Sequence, residues 1–122
     1  MKTALLITTN DEVKEIEFEN SLEFYYKQLD CDVITLTTLR TLHEIAGLSK
    51  DFVMIVDEEA LMKDEPKFNI YASAFRGTSI YGNAMIVKDN GEDFEGLEKE
   101  DHEQLSRAIR TLLDKLEKQY RN

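Results

Sequence analysis

Apolar side chains recur along this chain in two rhythms, and each change of rhythm marks a new element. Residues 3–8 (TALLIT) form an apolar run read as a first strand, closed by the turn-forming Thr9-Asn10-Asp11. Val13, Ile16 and Phe18 then stand among charged residues, which predicts a second strand. The 13-to-16 interval breaks strict alternation and suggests a bulge or a late start. So short a turn between the two makes a hairpin. Leu22, Tyr25, Tyr26 and Leu29 follow at i, i+3, i+4 and i+7, the stripe of a short helix. Asn20 is placed to cap it, with Glu23 three residues on to complete a capping box.

The β-branched run 31–36 (CDVITL) predicts a third strand. Residues 38–47 (TLRTLHEIAG) predict a short helix with Leu39, Leu42 and Ile45 inward, ended by Gly47. The most apolar run, 52–56 (FVMIV), reads as a central strand buried on both faces. Pro66, the only proline, follows an acidic connection; residues 67–76 fit either a helical turn or an extended crossover. Ile80–Val87 predicts another strand, and Gly82 within it marks a bulge or the close approach of another backbone. Asp89-Asn90-Gly91 is a hairpin turn, with a brief partner strand expected around Asp93–Leu97. The last element is a long helix: from about residue 100 to 120, Leu105, Ile109, Leu112, Leu116 and Tyr120 (or Gln119) recur at three- and four-residue steps. Acids crowd its start while Lys115, Lys118 and Arg121 crowd its end, matching the helix dipole. Its seam either packs on the sheet or pairs with the same helix of another copy, making a homodimer. The expected architecture is a single α+β domain over residues 1–122. A mostly antiparallel sheet of about five strands carries helices on one face and ends in a long C-terminal helix.

Composition adds constraints without changing that outline. A chain of 122 residues with 42% hydrophobic and 33% charged content can bury an adequate core without metal or disulfide. Its single cysteine, Cys31, lies in an apolar run and reads as a buried thiol in a reducing compartment. The opening residues are too short for a signal-peptide core, and no run approaches a membrane span, so a cytoplasmic protein is expected. The net charge of −10 argues against direct contact with nucleic-acid phosphates and with anionic membrane surfaces. Residues 1–61 hold 13 acids against 5 bases, and residues 62–122 hold 12 against 10.

Candidate chemistry is sparse. The acidic window Asp89–Glu100 fails as a calcium loop, because Phe94 stands where the tight turn needs glycine. One cysteine with two distant histidines, His43 and His102, supports no zinc site, and no metal site is expected. Neither histidine sits beside a nucleophile in sequence, and no glycine-rich phosphate loop follows a strand, so neither a catalytic residue nor a cofactor is expected. Asp57-Glu58-Glu59 end the central strand, where carboxylates either cap the next turn and stay in water or coordinate magnesium or act in acid–base chemistry. Asn69, Tyr71, Arg76, Tyr81 and Asn83 form the set best suited to grip a ligand. Arginine binds anions bidentately, while tyrosine and asparagine stack and hydrogen-bond. A second surface is acidic: Glu92, Asp93, Glu95, Glu98, Glu100, Asp101 and Glu103 stand against Lys99 alone. Dense carboxylates imitate phosphate spacing and complement a basic groove on a protein partner.

Several of these segments together resemble a family of small proteins of unknown function (domain of unknown function 3846) from phages, plasmids and bacterial mobile elements. The resemblance is carried by the opening MKTALLI, by VKEIEF followed by a short helix, and by VMIVDEEALMKDEPKFN. It continues through Ala72, IYGNAMIV, the Asp-Asn-Gly-Glu turn, and Phe94 and Leu97 before the last helix. Asp57-Glu58-Glu59, Pro66, Asn69 and Gly82 fall where the family has its acidic turn, proline, asparagine and glycine. The segment IYASAFRGTS, Ser79 and the long last helix depart from it. The family hands over no activity. It implies the setting of an accessory or host-defence-inhibiting factor. The expectation is therefore a non-enzymatic acidic protein that occupies a basic protein surface. The alternative is a protein that sequesters a small molecule or nucleotide around Tyr71 and Arg76.

Overall fold

In the computed structural model, which describes residues 2–120 (Tyr120 by its backbone alone), the first hairpin forms in regular register. Strand β1 (Thr3–Ile7) pairs antiparallel with β2 (Val13–Glu17) from Thr3–Glu17 through Ile7–Val13, so the irregular spacing in β2 produces no bulge. Between them, Thr8 Oγ1 accepts the Asn10 and Glu12 N–H groups, and Asp11 takes the left-handed conformation (φ 64°). Four further strands follow: β3 (Ile34–Thr38), β4 (Phe52–Asp57), β5 (Ala84–Asp89) and the two-residue β6 (Phe94–Glu95). The sheet order is β2-β1-β5-β4-β3, every pairing is antiparallel, and β6 pairs with the end of β5 beyond β1.

Continuous apolar runs in β1, β4 and β5 have a direct cause: these three strands are central and both their faces are covered. One face presents Leu5, Ile7, Met54, Val56, Ala84 and Ile86 to three helices, α2 (Arg40–Ala46), α3 (Ile70–Arg76) and α4 (Lys99–Tyr120). The other presents Ala4, Leu6, Ile55, Met85 and Val87 to α1 (Leu22–Leu29), through Tyr25 and Leu29. The expectation of helices on one face is corrected here. A lone helix's apolar stripe shows that it must be buried, not which side of a doubly apolar sheet receives it.

The last helix does pack on the sheet side. Leu105, Ala108 and Leu112 are buried in the larger core, with Ile109 and Leu116 against it, and Lys115 Nζ donates to the Ile45 carbonyl of α2. Asp101 in its first turn accepts the Glu98 N–H, closing the helix start. The side chain of Tyr120, as well as Arg121 and Met1, lie outside the described residues.

Three local expectations are corrected. Ser21, not Asn20, caps α1, its hydroxyl accepting the Phe24 N–H at 3.2 Å, while Asn20 accepts the Tyr25 phenol at 2.6 Å. Ile45 is 40% exposed, because the seven-residue α2 buries only one side. β5 begins at Ala84 rather than at Ile80. Ahead of it, Gly82 turns the chain at φ 82°, and its N–H donates to Lys67 O. Another backbone therefore does approach Gly82, across the isolated Phe68–Tyr81 bridge.

Candidate functional site

The polar residues of the crossover between β4 and β5 are mostly spent on holding that crossover in place. Asn69 is fully buried. Its Oδ1 accepts the Ala72 N–H as the cap of α3, while Nδ2 donates to the carbonyls of Ile7 and Gly82 at 3.0 and 2.9 Å. This settles residues 70–76 as helix, and Gly77 ends it at φ 88°. Asn83 Oδ1 accepts the Thr9 N–H, Ser73 Oγ bridges the N–H and carbonyl of Ile80, and Arg76 Nε donates to Thr37 Oγ1. Tyr71 stacks on Phe75, and Tyr81 meets Phe68 edge-on. Asn69, Tyr71, Arg76, Tyr81 and Asn83 therefore share one segment without converging on one cavity. What the crossover does expose is apolar: Leu61, Met62, Phe68 and Ile70 are each at least 45% exposed.

At the end of β4 the carboxylate of Asp57 is buried. Its Oδ1 accepts the Glu59 N–H at 2.8 Å just ahead of the 3₁₀ turn at Ala60–Met62, and its Oδ2 lies 3.3 Å from Lys63 Nζ. That contact is an ion pair without hydrogen-bond geometry, so Oδ2 keeps no hydrogen-bonding partner. Lys63 also donates to the Asp30 carbonyl and so straps an open cleft of about 620 Å³ between α1 and the β4 exit. Cys31 lines this cleft half-buried, which corrects the expectation of a buried thiol. Desolvation pushes its thiol above the usual range, and the neighbouring Asp57 carboxylate adds to the effect. A thiol held protonated in this way is a poor nucleophile. Among the described residues no group of three or more His, Cys, Asp or Glu side chains is arranged to hold a metal ion.

The acidic cluster gains members that sequence spacing could not assign to it. The segment from the β5–β6 turn to the start of α4 lies against β2 and the residues following it at three points. Asn20 hydrogen-bonds the Asp93 carboxylate, a contact that, with the Phe94 N–H, holds this exposed group below the usual carboxylate range. A Cβ at Gly96 would come within 2.8 Å of the Phe18 ring. His102 reaches from α4 to Thr3 Oγ1 (2.5 Å) and lies 3.6 Å from Glu15 Oε1. These contacts bring acids of β2, of the β5–β6 turn and of the start of α4 to the β2 edge of the sheet, with Glu15 and Glu17 on the α4 side of the strand and Asp93 towards Tyr25 on the α1 side. Asp101 is the member drawn inward, by Lys88 at 3.3 Å and by the helix start. Glu95 is half-buried and accepts from Asn90. The only sequence signal for the larger flank was the parity of β2, which puts Glu15 and Glu17 on one side of the strand.

Thr3, His102 and Glu15 together place a hydroxyl, an imidazole and a carboxylate in a row. The arrangement lacks what acyl transfer needs. The Glu15 contact is too long to orient the ring, and the Thr3 N–H is committed to the Leu97 carbonyl rather than to a developing oxyanion. It serves as a clasp joining β1, β2 and α4.

Fold and flank together define a small α+β protein whose charged surface is assembled from several elements. The chain belongs to the family described as Domain of unknown function (DUF3846), whose model matches residues 1–110. No curated protein and no solved structure matches the chain. No helix among the described residues is long and apolar enough to cross a membrane.

Proposed function

We propose that this is a non-enzymatic binding protein whose acidic flank occupies a basic surface on a protein partner. In this reading it works in the cytoplasm as an accessory or host-defence-inhibiting factor of a phage or mobile element. One observation supports the reading: acid-bearing segments of β2, the β5–β6 turn and the first turn of α4 meet at the β2 edge of the sheet through the Asn20–Asp93 and His102–Glu15 contacts. Most of these carboxylates are exposed, and among the described residues of this set only Glu15, beside His102, and Asp101, beside Lys88, stand in an ion pair. A surface of this kind steers and holds a partner rich in lysine and arginine, and it repels nucleic-acid phosphates. The protein that normally binds those phosphates is the fitting partner class.

The test compares the native chain with a variant carrying Glu92→Lys, Glu98→Lys and Glu103→Lys, both immobilised against lysate and then washed with rising salt. A basic partner retained by the native chain, released by salt and lost to the variant is the expected result. Retention of nothing, or of the same proteins by both chains, overturns the reading.

A further inference from the structure

The sheet ends in two edges, and only one is protected. β2 carries Lys14, Glu15 and Glu17 along its five residues, and charge of that density deters strand addition. β3 reads ITLTT: no charge, no proline, no bulge, and three β-branched threonines beside an exposed leucine, Leu36 at 43%. Which of its backbone groups are free follows from the ladder. Glu58 N–H donates to Val33 O, so Val33, Thr35 and Thr37 are the residues bonded to β4, and the alternation leaves Ile34, Leu36 and Thr38 with N–H and C=O directed to the open edge. Among the described residues no hydrogen bond from another element reaches these backbone groups; Arg76 donates to the Thr37 side chain, and Ile34 packs against the core on the α1 face.

We propose that this edge pairs with the same edge of a second copy, joining two sheets antiparallel across a two-fold axis at Leu36. That register puts Leu36 opposite Leu36 and Ile34 opposite Thr38, so the outward-directed backbone groups of the two strands meet one another. Beyond the two ends of that ladder stand charges of opposite sign, Asp32 in the bend before β3 and Arg40 at the first position of α2. Arg40 is exposed and engaged only with Glu44, at 3.2 Å along its own helix, so it is free to bridge. Chains of charge −10 repel one another over most of their surface, and the uncharged stretch Val33–Leu39 bounded by Asp32 and Arg40 is where approach is self-complementary. A basic peptide adding to this edge finds no carboxylate along the strand itself, which favours the second copy.

Sedimentation of the full chain from about 10 µM to about 1 mM reads the outcome, since a seam of five-residue strands is small and its affinity correspondingly modest. The expected result is a concentration-dependent shift from 14.2 kDa to twice that mass. Leu36→Lys, which brings two ammonium groups together at the axis on an already exposed position, holds the chain at the monomer mass. Asp32→Arg alone does the same, and Asp32→Arg with Arg40→Asp restores the dimer. Circular dichroism confirms that each variant is folded. A chain that stays monomeric throughout overturns the proposal. So does a dimer indifferent to Leu36→Lys, which would place the contact elsewhere, for instance along α4, or a charge exchange that fails to restore pairing.

Discussion

The crossover between β4 and β5 and the acidic flank are the two polar regions of this protein, and they are polar for opposite reasons. In the crossover, Asn69, Ser73 and Asn83 face inward and satisfy backbone groups that the irregular chain leaves unpaired. On the flank, most carboxylates face water and satisfy nothing inside the molecule. The contrast teaches that density of asparagine and serine in a loop measures how much backbone must be satisfied, whereas density of like charge measures what the fold can tolerate on its surface. Removing a crossover side chain should therefore cost stability and leave binding intact, while removing flank charges should do the reverse.

The largest effect is expected at Asn69. Asn69→Ala strips the cap of α3 and leaves the Ile7 and Gly82 carbonyls without their donor, a loss of roughly 3 kcal/mol that urea denaturation should show as a lowered midpoint. A loss under about 0.5 kcal/mol would erase the distinction between the two regions. Ser73→Ala, which opens the Ile80 bridge, should cost about 1 kcal/mol in the same assay.

Tyr25 lies between the regions, donating to Asn20, which in turn meets Asp93. Burial, with the nearby Asp93 charge, pushes its phenol well above the ordinary value. A folded-state pKa raised above the unfolded one gives a contribution fully present below the unfolded value near 10 and lost as pH rises towards the folded one. Native stability should thus fall more steeply above about pH 10 than in Tyr25→Phe, measured by denaturation at stepped pH. Parallel curves would show that the phenol is not held by burial.

The smallest effect on stability is expected on the flank. Glu92→Gln with Glu98→Gln and Glu103→Gln should change stability by no more than about 0.5 kcal/mol, in the stabilising direction at low salt, with the difference shrinking as salt is added. A marked loss would show that these carboxylates are structural, as Asp101 is.

Much of this architecture was legible because its signals are local. The hairpin of the first 18 residues, the central FVMIV strand, the Asn-Gly turn and the long amphipathic α4 each announce themselves within a few residues. Other features were legible only in part. Asn20 and Ser21 are adjacent candidate caps, and the choice went to Ser21 because Asn20 is drawn to the Tyr25 phenol and to Asp93, a contact across 73 positions. Ile80–Asn83 has the composition of a strand. It is turned instead by Gly82, whose N–H and carbonyl are claimed by Lys67 and Asn69. Asn69 has the chemistry of a ligand residue, and that same chemistry serves the backbone. The enlargement of the acidic cluster by Glu15, Glu17 and Glu19 has only the parity of β2 as its sequence signal, and parity does not say which distant segment lies beside the strand.

By itself the sequence determined the number and kind of elements, the antiparallel character of the sheet, the net charge and the family, because periodicity, turn chemistry and composition act over short range. Tertiary structure alone decided that α1 lies on the opposite face from its fellows, that the crossover's polar residues are architectural, and that distant acids meet at the β2 edge of the sheet. It also decided that β3, not β2, ends the sheet with a bare edge. Each of these depends on which groups meet across long chain separations, and such meetings are fixed by the joint burial of apolar faces and the pairing of buried polar groups rather than by any residue's own preference.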